Sequence, residues 1–171
     1  LSSDQIRALS TDQIQGLTTQ QVASLTNSQV AGLQIAQVQT LDVPNLTTLS
    51  SDQIRSLTTE QVAGLTSTQV IALSTENVAA LSVDQMVAVE TADLKSMTTA
   101  QIAALTSDQV AVLTTDQVSA LTTLQVRALT TDDIQALTTD QVHALSSAQL
   151  SALTTDQVAA LSSDQIYAFN V

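Results

Sequence analysis

Positions 1, 9, 17, 25 and onward to 169 form a grid with one residue class on it. Nineteen of these 22 sites are Leu, and the others are Val89, Met97 and Phe169. No insertion or deletion disturbs the interval. The chain is therefore about 21 copies of one octapeptide, typified by residues 153–160, Leu-Thr-Thr-Asp-Gln-Val-Ala-Ala. A strict short repeat implies stacked identical units and a solenoid, with each unit touching only its neighbours. The same regularity argues against an enzyme, because catalysis needs a cluster of residues that departs from its surroundings.

Numbered from its Leu, the octad has four informative sites. Position 6 is Val, Ile, Leu or Met in all 21 copies, and position 8 is small in nearly all of them. Position 2 is mostly Ser or Thr, and position 5 is Gln in seventeen copies. Ser/Thr followed three residues later by Gln is a helix-capping box, in which the hydroxyl accepts from the N3 amide and the Gln side chain accepts from the cap. Thr138…Gln141 and Thr154…Gln157 are examples. Asp at position 4 would sit in the first turn, where the helix dipole favours it. Position 6 and the next Leu are three apart and share a helix face. The spacing predicts an all-α solenoid with one short capped helix per octad. Helices this short are unstable alone, so the copies must support one another.

Other architectures fit less well. In one continuous helix the Leu stripe would drift by about 80° per octad. A β-solenoid remains an alternative, although its corners usually need Gly, Asn or Asp, and this chain has three Gly and scarce Asn. The number of octads per turn is suggested by position 4. Among its non-acidic members Gln20, Pro44, Thr68 and Ala92 are spaced by 24, as are Ala100, Leu124 and Ala148, with Ser28 and Ala36 as exceptions. That pattern predicts three octads, or 24 residues, per superhelical turn, with two acidic faces and one neutral face. Ancestry from a 24-residue genetic unit would leave the same trace. Two octads per turn is the other alternative, which the spacing of Gly16, Gly32 and Gly64 favours. Residues 1–171 read as a single continuous array with irregular copies near 34–48 and 89–97.

Candidate sites are few. Position 5 is never Glu, although a capping box and the helix dipole would both accept Glu. The amide N–H donor is therefore needed, with a backbone carbonyl of a neighbouring octad as the expected acceptor. Gln5, Gln13, Gln21, Gln53, Gln61, Gln101, Gln109, Gln117, Gln141 and Gln157 represent this structural column, and no catalytic residue is expected. His143 is the only histidine and the chain has no cysteine, so no transition-metal site is expected. The Asp columns form no D-x-D-x-D-G loop, so no calcium site or other cofactor is expected either.

With four Lys+Arg and a formal net charge of −12, the chain offers no clustered cations to phosphates. Nucleic acid is excluded as a partner, and no apolar run is long enough for membrane insertion. The chain begins and ends in register with the repeat. It reads as a segment of a longer array or as a unit that associates end to end. Its expected partners are thus neighbouring repeats of the same or an identical chain.

The run Leu-Thr-Thr-Asp-Gln-Val-x-Ala-Leu, clearest over residues 98–169, resembles low-complexity arrays in very large bacterial secreted or surface proteins. Those giants often carry adhesion-like or haem-utilisation-like labels. The resemblance implies an extracellular or cell-surface stalk, spacer or filament segment, and no haem-ligand pattern accompanies it here. Two other readings stay open. Regular Thr/Ser columns suit an ice-binding surface, although bacterial ice-nucleation octapeptides are richer in Gly and Tyr. A protein-binding solenoid would need non-repeating anchors, and only Tyr167 and Phe169 are aromatic.

Overall fold

The computed structural model describes residues 2–170, and for Asn170 the backbone only. Among the described residues it contains 21 α-helices of five or six residues and a closing 3-10 turn, Ala168–Asn170, with no strand. The β-solenoid alternative is thereby overturned.

Each octad folds for local reasons visible in one example. Thr58 has extended backbone, φ −72° and ψ 161°, and starts the helix Thr59–Ala63. Its hydroxyl accepts from the Gln61 N–H at 3.2 Å, and its own N–H donates to Gln61 Oε1 at 2.7 Å. The box satisfies two of the amides that a helix start leaves open. At the far end the Leu65 N–H donates to the Val62 carbonyl at 3.1 Å. The chain then turns through extended residues, as at Leu33 (φ −62°, ψ 144°) and Gln34 (φ −76°, ψ 154°). No described residue has positive φ, so the corners make no demand for glycine.

The molecule falls into two compact units, Leu1–Val89 and Glu90–Val171. The division lies at the irregular copy 89–97. Inside the first unit helices pack on those three octads later: Ser3–Arg7 on Asn27–Gly32, and Thr11–Gln15 on Ile35–Thr40. The second unit repeats the rule, with Thr99–Ala103 on Thr123–Ala128 and Thr123–Ala128 on Ser147–Ala152. Three octads therefore make one turn within each unit, and the two-octad alternative is also overturned. Its support, the glycine spacing, has another origin. A Cβ on Gly32 would lie 2.9 Å from the Ser3 Cβ, and one on Gly64 would lie 2.5 Å from the Ile35 Cγ2. Gly32 and Gly64 make room for position 3 of the octad in the turn below, while Gly16 meets only its own helix.

The core is the apolar grid itself. Val62 and Leu65 in the first unit, and Val126 and Leu129 in the second, are all 5% exposed or less. Irregular copies conform to it. Asp42 caps the helix Val43–Thr47 by accepting from Asn45 N–H at 2.9 Å, and Pro44 falls in the first turn, where its missing N–H leaves no bond unmade. Gln34 stands where Ser or Thr would cap. Its N–H still donates to Gln37 Oε1 at 2.7 Å, while its own amide donates to the Arg7 carbonyl at 2.9 Å.

Candidate functional site

The residues that break the solvent/core division are the glutamines of position 5. Gln61 is 2% exposed, and its two amide atoms do different work. Oε1 completes its own helix cap. Nε2 donates to the Val30 carbonyl at 3.0 Å and to the Leu33 carbonyl at 2.6 Å, 31 and 28 residues earlier. Val30 lies in the last turn of the helix Asn27–Gly32 in the turn below, and Leu33 is the corner that follows. Helix C-termini leave carbonyls without intrahelical donors, and the glutamine of the next turn supplies one. A carboxylate would keep the cap and lose this bond, which is a physical reason for Gln over Glu.

The geometry recurs in both units. Gln53 donates to Ala23 and Leu25 carbonyls at 3.2 and 2.6 Å. Gln141 reaches Val110 and Leu113 at 2.9 and 2.7 Å, and Gln157 reaches Val126 and Leu129 at the same distances. Gln101, Gln109 and Gln117 are each 2% exposed and complete their caps with Oε1. Gln5, Gln13 and Gln21 make the same caps but are exposed.

The shorter residues at position 5 give partial versions. Asn45 and Asn77 donate to one carbonyl each, Leu17 and Leu49, both at 3.2 Å. One methylene less keeps the acceptor 28 residues earlier and leaves the one 31 residues earlier out of reach. Asp133 has no donor; its carboxylate instead accepts from Thr130 N–H, Thr130 Oγ1 and Ser107 Oγ.

Sequence reading missed a second set of ties, made by long side chains. Gln39 Nε2 donates to the Gly64 carbonyl at 2.7 Å, and Arg55 Nε to the Ala80 carbonyl at 3.1 Å. Both occupy position 7, whose mixture of Arg, Gln and Lys was the available signal.

Outside this seam the surface is simple. Position 4 is exposed in every octad. In the second unit, Ala100, Leu124 and Ala148 ride on successive stacked helices, so the period of 24 corresponds to a neutral face. Asp108, Asp132 and Asp156 form an acidic column by the same stacking. Leu124 is 65% exposed. His143 is exposed beside Asp140, Asp164 and Tyr167 around a shallow depression. Among the described residues no three His, Cys, Asp or Glu side chains are grouped to hold a metal ion, and no helix is long and apolar enough to cross a membrane.

Short helices stacked three to the turn, with side-chain amides bonding each turn to the one below, define a helical-solenoid repeat protein. Within that class the chain belongs to the ALTTAQ repeat family, whose pattern matches residues 1–27, 44–75, 86–123, 119–147 and 142–171. Two stretches lie outside it, 28–43 and 76–85, and the first includes the copy that has Gln34 in place of Ser or Thr. No match was found among the curated proteins with which the chain was compared.

Proposed function

We propose that the chain is a non-catalytic structural repeat module, used as a stalk, spacer or filament segment of a larger bacterial surface or secreted protein. One observation carries the structural part. The buried glutamines are spent on bonds between turns, as Gln61 is on Val30 and Leu33. The acidic position-4 columns keep such an array solvated and discourage lateral association. The bacterial, extracellular and adhesin-like setting rests on the resemblance of Leu-Thr-Thr-Asp-Gln-Val-x-Ala-Leu to arrays of that kind.

Antibodies raised against the chain and applied to intact producing cells test the location. Surface labelling is the expected result, and labelling only after permeabilisation overturns it. A column of exposed threonines, with Thr115 and Thr139 on stacked helices, favours ice binding as the second reading. Position 2 contributes little to such a face, because its hydroxyls accept helix amides. Inhibition of ice recrystallisation by the purified chain would replace the spacer reading, and no inhibition is expected.

A further inference from the structure

In a repeat this regular, a place that departs from it in both charge and shape stands out. One lies within the second unit, around Lys95, the only lysine of the chain. Arg7 and Arg55 each follow an acid by three residues, Asp4 and Asp52, an interval that places the two on one helix face. Lys95 follows Ala92 instead. Its ammonium makes no hydrogen bond or ion pair among the described residues. Beside it a depression of about 540 Å³ opens at the corner between the helices Thr115–Ala120 and Thr123–Ala128. No carboxylate lines it, on a chain of formal net charge −12. The hydroxyls of Thr91, Ser119, Thr122, Thr123 and Ser146 do. The walls come from turns with neighbours on both sides. Thr115–Ala120 lies between Thr91–Ser96 and Thr139–His143, and Thr123–Ala128 lies between Thr99–Ala103 and Ser147–Ala152.

The hydroxyls divide by what they have left to offer. Ser119 Oγ donates to the Asp116 carbonyl at 2.9 Å, and Ser146 Oγ donates to Gln149 Oε1 at 2.9 Å. Toward a ligand these two present lone pairs only. Thr122 Oγ1 accepts from the Gln125 N–H at 3.2 Å, and its hydrogen stays available. The hydroxyls of Thr91 and Thr123 have no partner among the described residues. One cation, three hydroxyl donors and two acceptor oxygens therefore converge on the depression. We propose that it binds a sugar bearing a single oxyanion group, a phosphate or sulfate ester. The ester oxygens accept from Lys95 Nζ and the threonine hydroxyls, and the sugar hydroxyls donate to Ser119 and Ser146 Oγ. A bare oxyanion would leave the two acceptor oxygens unused, and a neutral sugar would leave the ammonium unused. A polyanion is disfavoured, because the acidic columns of the same unit repel each further negative charge. Against one charge held on Lys95 those columns count for little, since exposed charges more than about 8 Å apart are largely screened at physiological salt.

The test is an NMR titration of the isotope-labelled chain with glucose-6-phosphate, glucose-6-sulfate, glucose and inorganic phosphate. Each is added to about 20 mM, against an expected Kd of about 1 mM for the esters. Saturating shifts of the Ser119, Ala120, Thr122 and Thr123 amides are expected with the esters. Glucose and inorganic phosphate should bind at least about tenfold more weakly. Lys95→Gln should weaken ester binding at least about tenfold, and Thr123→Val about threefold. Arg7→Gln removes the same charge from the first unit and should leave binding unchanged. All three side chains are exposed, so circular dichroism should be that of the parent. The tighter of the two esters identifies the oxyanion that the site prefers. No shift with either ester overturns the proposal. So does ester binding that survives in Lys95→Gln, and so does glucose or inorganic phosphate binding as tightly as the esters.

Discussion

The sequence Ser-Ser-Asp-Gln-Ile occurs three times, at residues 2–6, 50–54 and 162–166, and its copies meet three different fates. Locally they are the same. The Gln N–H lies 3.2, 3.3 and 3.2 Å from the cap hydroxyl, and the cap N–H lies 2.7, 2.8 and 2.8 Å from Gln Oε1. Their surroundings differ. Gln5 is exposed over a buried Ile6; Gln53 and Ile54 are both buried; Gln165 is buried beneath an Ile166 that is 48% exposed. The helix is thus a property of the octad, whereas burial is a property of having a turn below and a turn above. The turn below receives the glutamine, and the turn above covers the position-6 side chain.

Exchanging the glutamine strains this contrast most. Gln53→Glu removes the donor to Ala23 and Leu25 carbonyls and buries a carboxyl against them, so it is expected to lose about 2–4 kcal/mol. Gln5→Glu keeps its cap in solvent and should stay within about 0.5 kcal/mol of the parent. Urea unfolding of the two variants measures the difference, and equal losses would remove the inter-turn role of the amide. The apolar partner gives the reverse polarity. Ile54→Ala should cost about 2–4 kcal/mol, while Ile166→Ala, already half in water, should cost less than about 1 kcal/mol. Amide exchange in the two helices reads each effect where it arises.

Gly64 and Gly16 sharpen the same comparison at position 8. A Cβ at Gly64 meets Ile35 Cγ2 at 2.5 Å, so Gly64→Ala should destabilise by about 1–3 kcal/mol through overpacking. Adding Ile35→Ala should recover most of that loss, and a double-mutant cycle by thermal melting tests the coupling. At Gly16 the nearest atom is 3.4 Å away and φ is −75°. There Gly16→Ala should stabilise by about 0.4–1 kcal/mol through the unfolded chain.

The smallest effect concerns an exposed acid. The Glu60 carboxyl is held below its usual 4.5, first by its own backbone N–H and then by the hydroxyl of Thr58. A depressed value means that its contribution is present above pH 4.5 and fades as pH falls through the lowered value. Glu60→Gln should therefore be slightly less stable than the parent at neutral pH, and the gap should narrow in acid. A gap that widens in acid would contradict the sign.

Much of the fold was legible because its determinants are local. The capping box, the three-residue interval from position 6 to the next Leu, and the tolerance of Pro44 in a first turn each act within one octad. The absence of Glu at position 5 pointed to a donor without identifying its acceptors, since Val30 and Leu33 lie 31 and 28 residues from Gln61. The glycine spacing misled, because Gly32 and Gly64 answer to Ser3 and Ile35 in another turn, while Gly16 meets only its own helix. The acceptors of Gln39 and Arg55 are equally remote, Gly64 and Ala80, each 25 residues away.

By itself, the sequence determined where each helix starts, which side chains are apolar and which amide carries a spare donor, because hydrogen-bond reach within eight residues decides these. Only the tertiary structure decided that three helices complete a turn within each unit, which carbonyls the glutamines meet, and which copies of one pentapeptide are left open. Those outcomes depend on what the neighbouring turn presents, and identical octads carry no record of that.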